Sequence, residues 1–246
     1  MRRVMFVWRG ITVYSYPAML YVGLCFGTLA GNAAAHRSGI DAFRVFVATI
    51  ILVPLALIGA RLLYVAINWS VYRDNLSRVW DTSDGGQAQY GGLPLVLPLS
   101  VPLLSALGLH YGAFWDVGVI TILVGMIFTR FGCLMNGCCA GAEYSGWGSL
   151  YLPNRLGVWK HRVPTQLMEA TLATVILFTG LLVWPYLPFR GGLLLYVLSS
   201  YGAGRLVLES LRESHGSVRR GFTVHHGISI VLIAVSAAAL LTRGIT

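Results

Sequence analysis

Charge is what this sequence has least of. Only 11% of its 246 residues are Asp, Glu, Lys or Arg, where a soluble domain carries about 25%. That deficit excludes an ordinary soluble globular protein. Acidic residues number 9 and lysine occurs once, as Lys160, so the formal net charge of +9 rests almost wholly on arginine. Arginine favours planar, two-pronged contact with phosphate, and no basic stripe on a soluble fold is visible. The excess therefore points to phospholipid headgroups and not to nucleic acid. Cysteine is scarce too: four residues, at 25, 133, 138 and 139, are too few and too clustered for a disulfide framework. No internal repeat is evident.

Apolar residues are abundant, at 56% hydrophobic with 29 Gly, and the mean hydropathy is +0.70. A membrane-spanning helix needs about 20 mostly apolar residues, and seven such runs occur: 16–35, 45–67, 92–109, 114–135, 166–187, 191–211 and 225–241. They predict one polytopic all-α membrane domain over residues 1–246. The third run carries Pro94, Pro98 and Pro102, which predicts a kinked or partly irregular helix. A signal peptide is the alternative reading of the N-terminus, because Arg2, Arg3 and Arg9 precede an apolar stretch. The length of the run and the lack of a small-residue cleavage site disfavour it. With seven spans, the N-terminal tail and the long connections fall on one side, which holds eleven Lys and Arg against four on the other. A plain count puts the N-terminus in the cytoplasm. Trp147, Trp159, Tyr144 and Tyr151 in the fourth connection suggest an interfacial belt or a short head segment.

Ionisable groups within apolar runs mark function by default. Here they are Arg61, Arg130, Glu169, Arg205 and Glu209. In an up-and-down path all fall in one leaflet, together with Tyr16, Tyr90, Gly91, Gly92 and Asn136. Snorkelling or structural ion pairing is the bland account, and Arg205 with Glu209 are spaced for pairing whatever the function. The convergence predicts one lateral, positively charged chamber suited to an anion attached to something greasy, such as a phospholipid.

Four stretches in order carry a family resemblance: Asp84-Gly-Gly-Gln-Ala-Gln-Tyr90-Gly-Gly92, Arg130-Phe-Gly-Cys-Leu-Met-Asn136-Gly137, Val163-Pro-Thr-Gln-Leu-Met-Glu169, and Tyr201-Gly-Ala-Gly-Arg205-Leu-Val-Leu-Glu209-Ser-Leu-Arg212-Glu213. Weaker matches flank them, Tyr16 to Gly23 and Gly59 to Tyr64. Together they resemble the prolipoprotein diacylglyceryl transferases, multi-pass enzymes of the bacterial inner membrane. The resemblance implies transfer of the diacylglyceryl group of phosphatidylglycerol to a cysteine thiol of a prolipoprotein, or a related thiol acceptor, releasing glycerol phosphate. It implies catalytic roles for Arg130 and Arg205, with Tyr90 at the position of a candidate base. Tyr16, Arg61, Gly91, Gly92, Asn136, Gly137, Tyr201, Glu209 and Arg212 would bind substrate. It also implies that the long connections face the periplasm, against the arginine count.

Departures accompany the matches. The family usually has histidine where Tyr90 stands, asparagine at Cys133 and glutamate at Cys138. Tyrosine, with an ordinary pKa of about 10, is a poor base near neutrality. Three readings of Cys133, Cys138 and Cys139 stay open: small fillers at a Gly-rich turn, a thiol site activated by nearby Arg130 for covalent or redox chemistry, or metal ligands. For the last, the C-x4-C-C spacing matches no standard zinc pattern and the added partner would be His161 or His110. No cofactor or metal is expected. Cys25 is expected in the core, and His225 and His226 at an amphipathic helix start. Two rival functions remain: a cysteine-based lipid-modifying or thiol-redox enzyme on the same scaffold, and a non-catalytic phospholipid-binding protein.

Overall fold

The computed structural model describes residues 3–73, 75, 77, 79, 91–153, 157–211 and 224–245. The chain is mostly helical. It opens with an antiparallel hairpin, β1 (Val4–Trp8) and β2 (Ile11–Tyr14), followed by helices α1 (Ser15–Arg37), α2 (Ala42–Ile67), the single turn α3 (Trp69–Tyr72), α4 (Gly92–Ala106) and α5 (Tyr111–Asn136). A second hairpin, β3 (Leu150–Pro153) and β4 (Trp159–Arg162), precedes α6 (Thr165–Val183), α7 (Gly192–Ser210) and α8 (Val224–Ile245). Among the described residues four helices are long and apolar enough to cross a membrane: Ser15–Arg37, Ala42–Ile67, Tyr111–Asn136 and Thr165–Tyr186, the last including one 3-10 turn after α6. At 1.5 Å per residue, the 26 residues of α2 or α5 reach about 39 Å, beyond the ~30 Å hydrocarbon core. The 15 residues of α4 reach only about 22 Å.

Packing divides the chain into two compact units, residues 1–34 with 115–246, and residues 35–114. In the second unit, Asp41 caps α2 by accepting from the Phe43 and Arg44 amides at 3.0 and 3.1 Å. Gly91 and Gly92 let the start of α4 approach α2 closely. A Cβ at Gly91 would lie 2.6 Å from the Gly59 carbonyl oxygen and one at Gly92 3.0 Å from that of Ala56. The helix α4 runs without a break across Pro98 and Pro102. Neighbouring side chains meet its polar backbone: Ser100 Oγ and Tyr111 Oη both donate to the Leu97 carbonyl, at 2.8 and 3.1 Å.

In the first unit, α1 packs on α5 through small residues. Helices approach this closely where side chains are absent, and small residues four apart line such seams in membranes. Gly23, Gly27 and Gly31 have that spacing on α1. A Cβ at Gly27 would stand 2.5 Å from the Thr121 carbonyl oxygen, a backbone atom that cannot swing aside. Gly27→Leu is therefore expected to lower thermal stability by about 1–3 kcal/mol, read as a lower melting temperature in detergent; unchanged melting would refute the tight seam. The same geometry corrects the placement of Cys25, which is exposed. With the glycine face turned to α5, residue 25 points the other way.

Helix α7 starts at Gly191, in a left-handed conformation with φ 101°. Its first amides are capped from another helix: the buried carboxylate of Asp116 on α5 accepts from Gly191 N at 2.7 Å and Leu194 N at 3.1 Å. Burying a carboxylate is tolerated here because backbone donors and the positive end of the helix dipole face it. Asp116→Ala is expected to cost about 1–3 kcal/mol and to leave activity per folded molecule intact. Chemical denaturation measured beside an activity assay checks both halves.

Helix α8 lies along α7, where Ser199 Oγ and Ser236 Oγ are 2.7 Å apart and Gly202 leaves room for Ile233. The fourth connection, where an interfacial belt or a head segment is expected, holds the β3–β4 hairpin. Tyr151 packs on Trp159 and on His161, each at 5.5 Å between ring centroids, and Trp147 is 99% exposed. Arg162 anchors the hairpin from a buried position and pairs with Glu143 at 3.4 Å. Lys160 reaches the same carboxylate at 2.7 Å. That hydrogen bond and both positive charges hold the Glu143 carboxyl below the usual glutamate range.

Candidate active site

The strongest polar feature of the first unit is a chain of four ionisable side chains from three helices, three of them buried and Glu209 half-buried. Arg130 is near the end of α5, Glu169 in the first turns of α6, and Arg205 and Glu209 near the end of α7. Arg130 Nε lies 2.5 Å from Glu169 Oε2. Arg205 pairs through Nη1 with Glu169 Oε1 and through Nη2 with Glu209 Oε2, the latter at 2.9 Å. Glu169 is 1% exposed, Arg205 3% and Arg130 7%. Charges this deep are stable only when paired and hydrogen-bonded, and Glu169 supplies the shared partner. It fixes two guanidinium planes close to one point. Two planar guanidiniums fixed side by side match the geometry of an anion with several oxygens.

Part of the expected positively charged chamber lies in this unit. Within the cluster, two arginines and two glutamates balance. Bridging to Glu169 is how two guanidiniums can share a dry interior at all. Of the remaining expected positive groups, Arg61 belongs to the other unit and Arg212 lies outside the described residues.

Other expected site residues belong to the same unit. Tyr201 precedes Arg205 by one turn on α7 and is buried, close enough for its charge state to be felt by both arginines. Tyr16 opens α1 beside Gly132, whose missing Cβ would touch the Tyr16 backbone at 3.4 Å, and it lies within electrostatic reach of Arg130 and of Cys133, Cys138 and Cys139. Asn136 is the last residue of α5. Gly137 then takes φ +71° to end the helix, and a side chain there would strike Pro153 at 2.9 Å. The following turn is tied to α6: Gln166 Nε2 donates to the Cys138 carbonyl and Thr165 Oγ1 to that of Cys139, both at 2.7 Å.

Three expected site residues are found in the second unit. Arg61 is buried, donates from Nε to the Val79 carbonyl at 2.7 Å, and lies over the rings of Tyr64 and Tyr72 at 5.7 and 5.5 Å. Gly91 and Gly92 serve the close approach of α4 to α2. Tyr90, like Arg212, lies outside the described residues, as does the side chain of His225. His161 sits in its hairpin, with Nδ1 3.4 Å from Ser149 Oγ, and His110 Nδ1 accepts from the Ala113 amide at 3.3 Å. Among the described residues neither joins the cysteines in a metal-ligating group. Sequence reasoning singled out Glu169 as ionisable but gave it no site role. The signal available was its place at the head of an apolar run one helix away from Arg130 and Arg205.

A mostly helical protein with several membrane-crossing helices and two guanidiniums held at one buried carboxylate is a membrane protein built to handle an anionic group in an apolar setting. Comparison with known sequences narrows that class. The sequence profile of the family described as prolipoprotein diacylglyceryl transferase matches residues 3–242, and the chain belongs to that family. It is 30% identical over 213 residues to the phosphatidylglycerol–prolipoprotein diacylglyceryl transferase of Clostridioides difficile, covering 86% of this chain and 84% of that protein. The transferase of the same name from Streptococcus equi subsp. zooepidemicus is 29% identical over 244 residues, 95% of this chain and 92% of that protein.

Proposed function

We propose that this protein transfers the diacylglyceryl group of phosphatidylglycerol to a cysteine thiol of a prolipoprotein in the bacterial inner membrane, releasing glycerol phosphate. Family membership and the names of the relatives support the reaction, and the arginine pair bridged by Glu169 is the single observation that carries the chemistry. The acceptor thiolate attacks the glyceryl carbon next to the phosphate ester. The C–O bond breaks, its electron pair leaves on the phosphate oxygen, and the thiol proton goes to solvent. Negative charge grows on the departing phosphate, where fixed guanidiniums in a dry site stabilise it without reorganisation. Arg130 and Arg205 take that role, with Tyr16, Asn136, Gly137, Tyr201 and Glu209 shaping the substrate side, and Arg61, Gly91, Gly92 and Arg212 binding substrate from their own segments.

The membrane topology follows the same reading. Among the described residues four helices have the length and hydropathy of spans, and α4, α7 and α8 occupy the other three apolar runs, for seven crossings in all. The test is glycerol phosphate release by the purified protein with phosphatidylglycerol and a lipobox peptide, beside a peptide whose cysteine is serine. Release that depends on the peptide thiol supports the transferase. Lipid binding without release refutes it in favour of a non-catalytic phospholipid-binding protein.

A further inference from the structure

Three thiols converge beside the ion-pair cluster. Cys133 follows Arg130 by three residues on α5 and so shares its face of the helix. Cys138 and Cys139 come just after the helix ends. Their sulfur atoms all lie within 4.8 Å of one another, and none of the three is in a disulfide. The backbone is bent to bring them together: Cys139 has φ +62°, in the left-handed region, which costs a non-glycine residue roughly 1–2 kcal/mol. The turn is held there by the two 2.7 Å hydrogen bonds from Thr165 and Gln166. Small fillers would not require a strained residue anchored from a second helix. A disulfide would use two of the sulfurs and strand the third.

Three convergent thiolates are a donor set for a borderline-soft divalent ion. Zinc bonds sulfur at about 2.3 Å, which at tetrahedral angles sets neighbouring sulfurs about 3.8 Å apart. From separations within 4.8 Å, that needs shifts of about 1 Å or less, within the reach of side-chain rotation. Zinc sites with four protein ligands are structural, and those with three leave a position for water or substrate. Among the described residues no His, Asp or Glu completes this group. Arg130 lies one helical turn before Cys133 on α5, a cation near the single negative charge of a zinc ion bound by three thiolates.

We propose that Cys133, Cys138 and Cys139 bind one zinc ion through their thiolates and that its fourth position receives the thiol of the acceptor. This revises the expectation that no metal is present, and its second half rests on the transferase reading. A thiol that coordinates zinc is deprotonated outright. The acceptor R–SH gives its proton to solvent and binds as R–S⁻. Its sulfur lone pair then forms the C–S bond as the C–O bond to phosphate breaks, and the metal stays Zn²⁺ throughout. The site thereby provides for thiolate formation in a chain that has Tyr90 where its family usually has histidine.

The experiment uses the full chain in detergent, reduced, stripped with a chelator and titrated with Co²⁺ as a spectroscopic probe, then with Zn²⁺. The expected result is one Co²⁺ per chain with a thiolate-to-cobalt charge-transfer band, abolished by stoichiometric Zn²⁺. Cys138→Ser should weaken binding by more than ~10²-fold, beyond the 10–100-fold typical of changes outside the ligand shell. Cys25→Ser, on the exposed face of α1, should leave it unchanged. No band in a wild-type protein whose three thiols react with a thiol reagent overturns the site, whatever the activity.

Glycerol phosphate release is then measured on the stripped and zinc-loaded protein. Zinc-dependent release supports the whole proposal. Release that ignores a bound metal overturns the activating role alone. A metal-binding protein that releases nothing from any thiol peptide refutes the transferase reading while supporting the ion site.

Discussion

Arg130→Ala is expected to lower the turnover of glycerol phosphate release by at least ~10²-fold, the usual cost of deleting one preorganised donor aimed at developing negative charge. Arg130 is the better of the two arginines to remove. Without it, Glu169 keeps its pairing with Arg205, so no buried carboxylate is left bare and the variant should insert and fold. Arg205→Ala would unpair Glu209 and half-unpair Glu169 at once, mixing a folding defect of ~3–5 kcal/mol into the measurement. Arg130→Lys separates charge from geometry. It keeps the positive charge but loses the planar fork, so its activity should fall between wild type and alanine, with the loss in turnover and not in lipid affinity. Near wild-type turnover in Arg130→Ala would remove this residue from phosphate stabilisation. Unchanged turnover with weakened lipid affinity would recast it as a ground-state anchor.

The helices were largely legible because bilayer length and hydropathy are one-dimensional properties. The run 45–67 became Ala42–Ile67, 114–135 became Tyr111–Asn136, and 191–211 became Gly192–Ser210. The ends differ where local chemistry decides them, as at Asp41, whose side chain caps α2 four residues before the apolar run begins. The first hairpin was missed although its signal was present. Arg9-Gly10 forms a two-residue connection with φ 48° and 83°, the left-handed pair that matches the twist of flanking strands, but it was read as a charged tail. Asp116 was missed for the opposite reason. A hydropathy average over the fourth run absorbs one carboxylate, and its role depends on an amide 75 residues away. The glycines at 23, 27 and 31 were readable as a seam by spacing, yet which helix they face is a tertiary fact.

The candidate site was half legible in the same sense. Its residue types and their depth were visible, since arginines within apolar runs are costly and stand out. Their pairing was not. Charge counting along the chain gives an excess of arginine, whereas in the cluster Glu169 and Glu209 together balance Arg130 and Arg205. Neutrality changes what a substrate must do there. Under the proposed function, a lipid phosphate would compete with Glu169 for donors already engaged, and its binding would be an exchange of one anion for another. Exchange keeps the arginines ordered before the lipid arrives.

That exchange makes Glu169→Gln the most sensitive test of the cluster. Neutralising the shared carboxylate leaves two guanidiniums facing each other in a dry interior with only Glu209 to offset them. The expected cost is about 3–5 kcal/mol, seen as a large drop in melting temperature. The anion that the site is built to hold should repair the defect, because binding only to the folded state raises stability by mass action. Glycerol phosphate or inorganic phosphate should therefore raise the melting temperature of Glu169→Gln by several degrees more than that of wild type, with potassium chloride at equal ionic strength as the control for screening. Asp116→Ala supplies the contrast: it is also destabilised at a buried carboxylate, but at the start of α7 and away from the arginine pair, so phosphate should not rescue it. Equal phosphate effects on both variants would mean a general salt response. A Glu169→Gln protein that melts like wild type would mean that the bridge does not hold the arginines, and the anion-exchange account would fall with it.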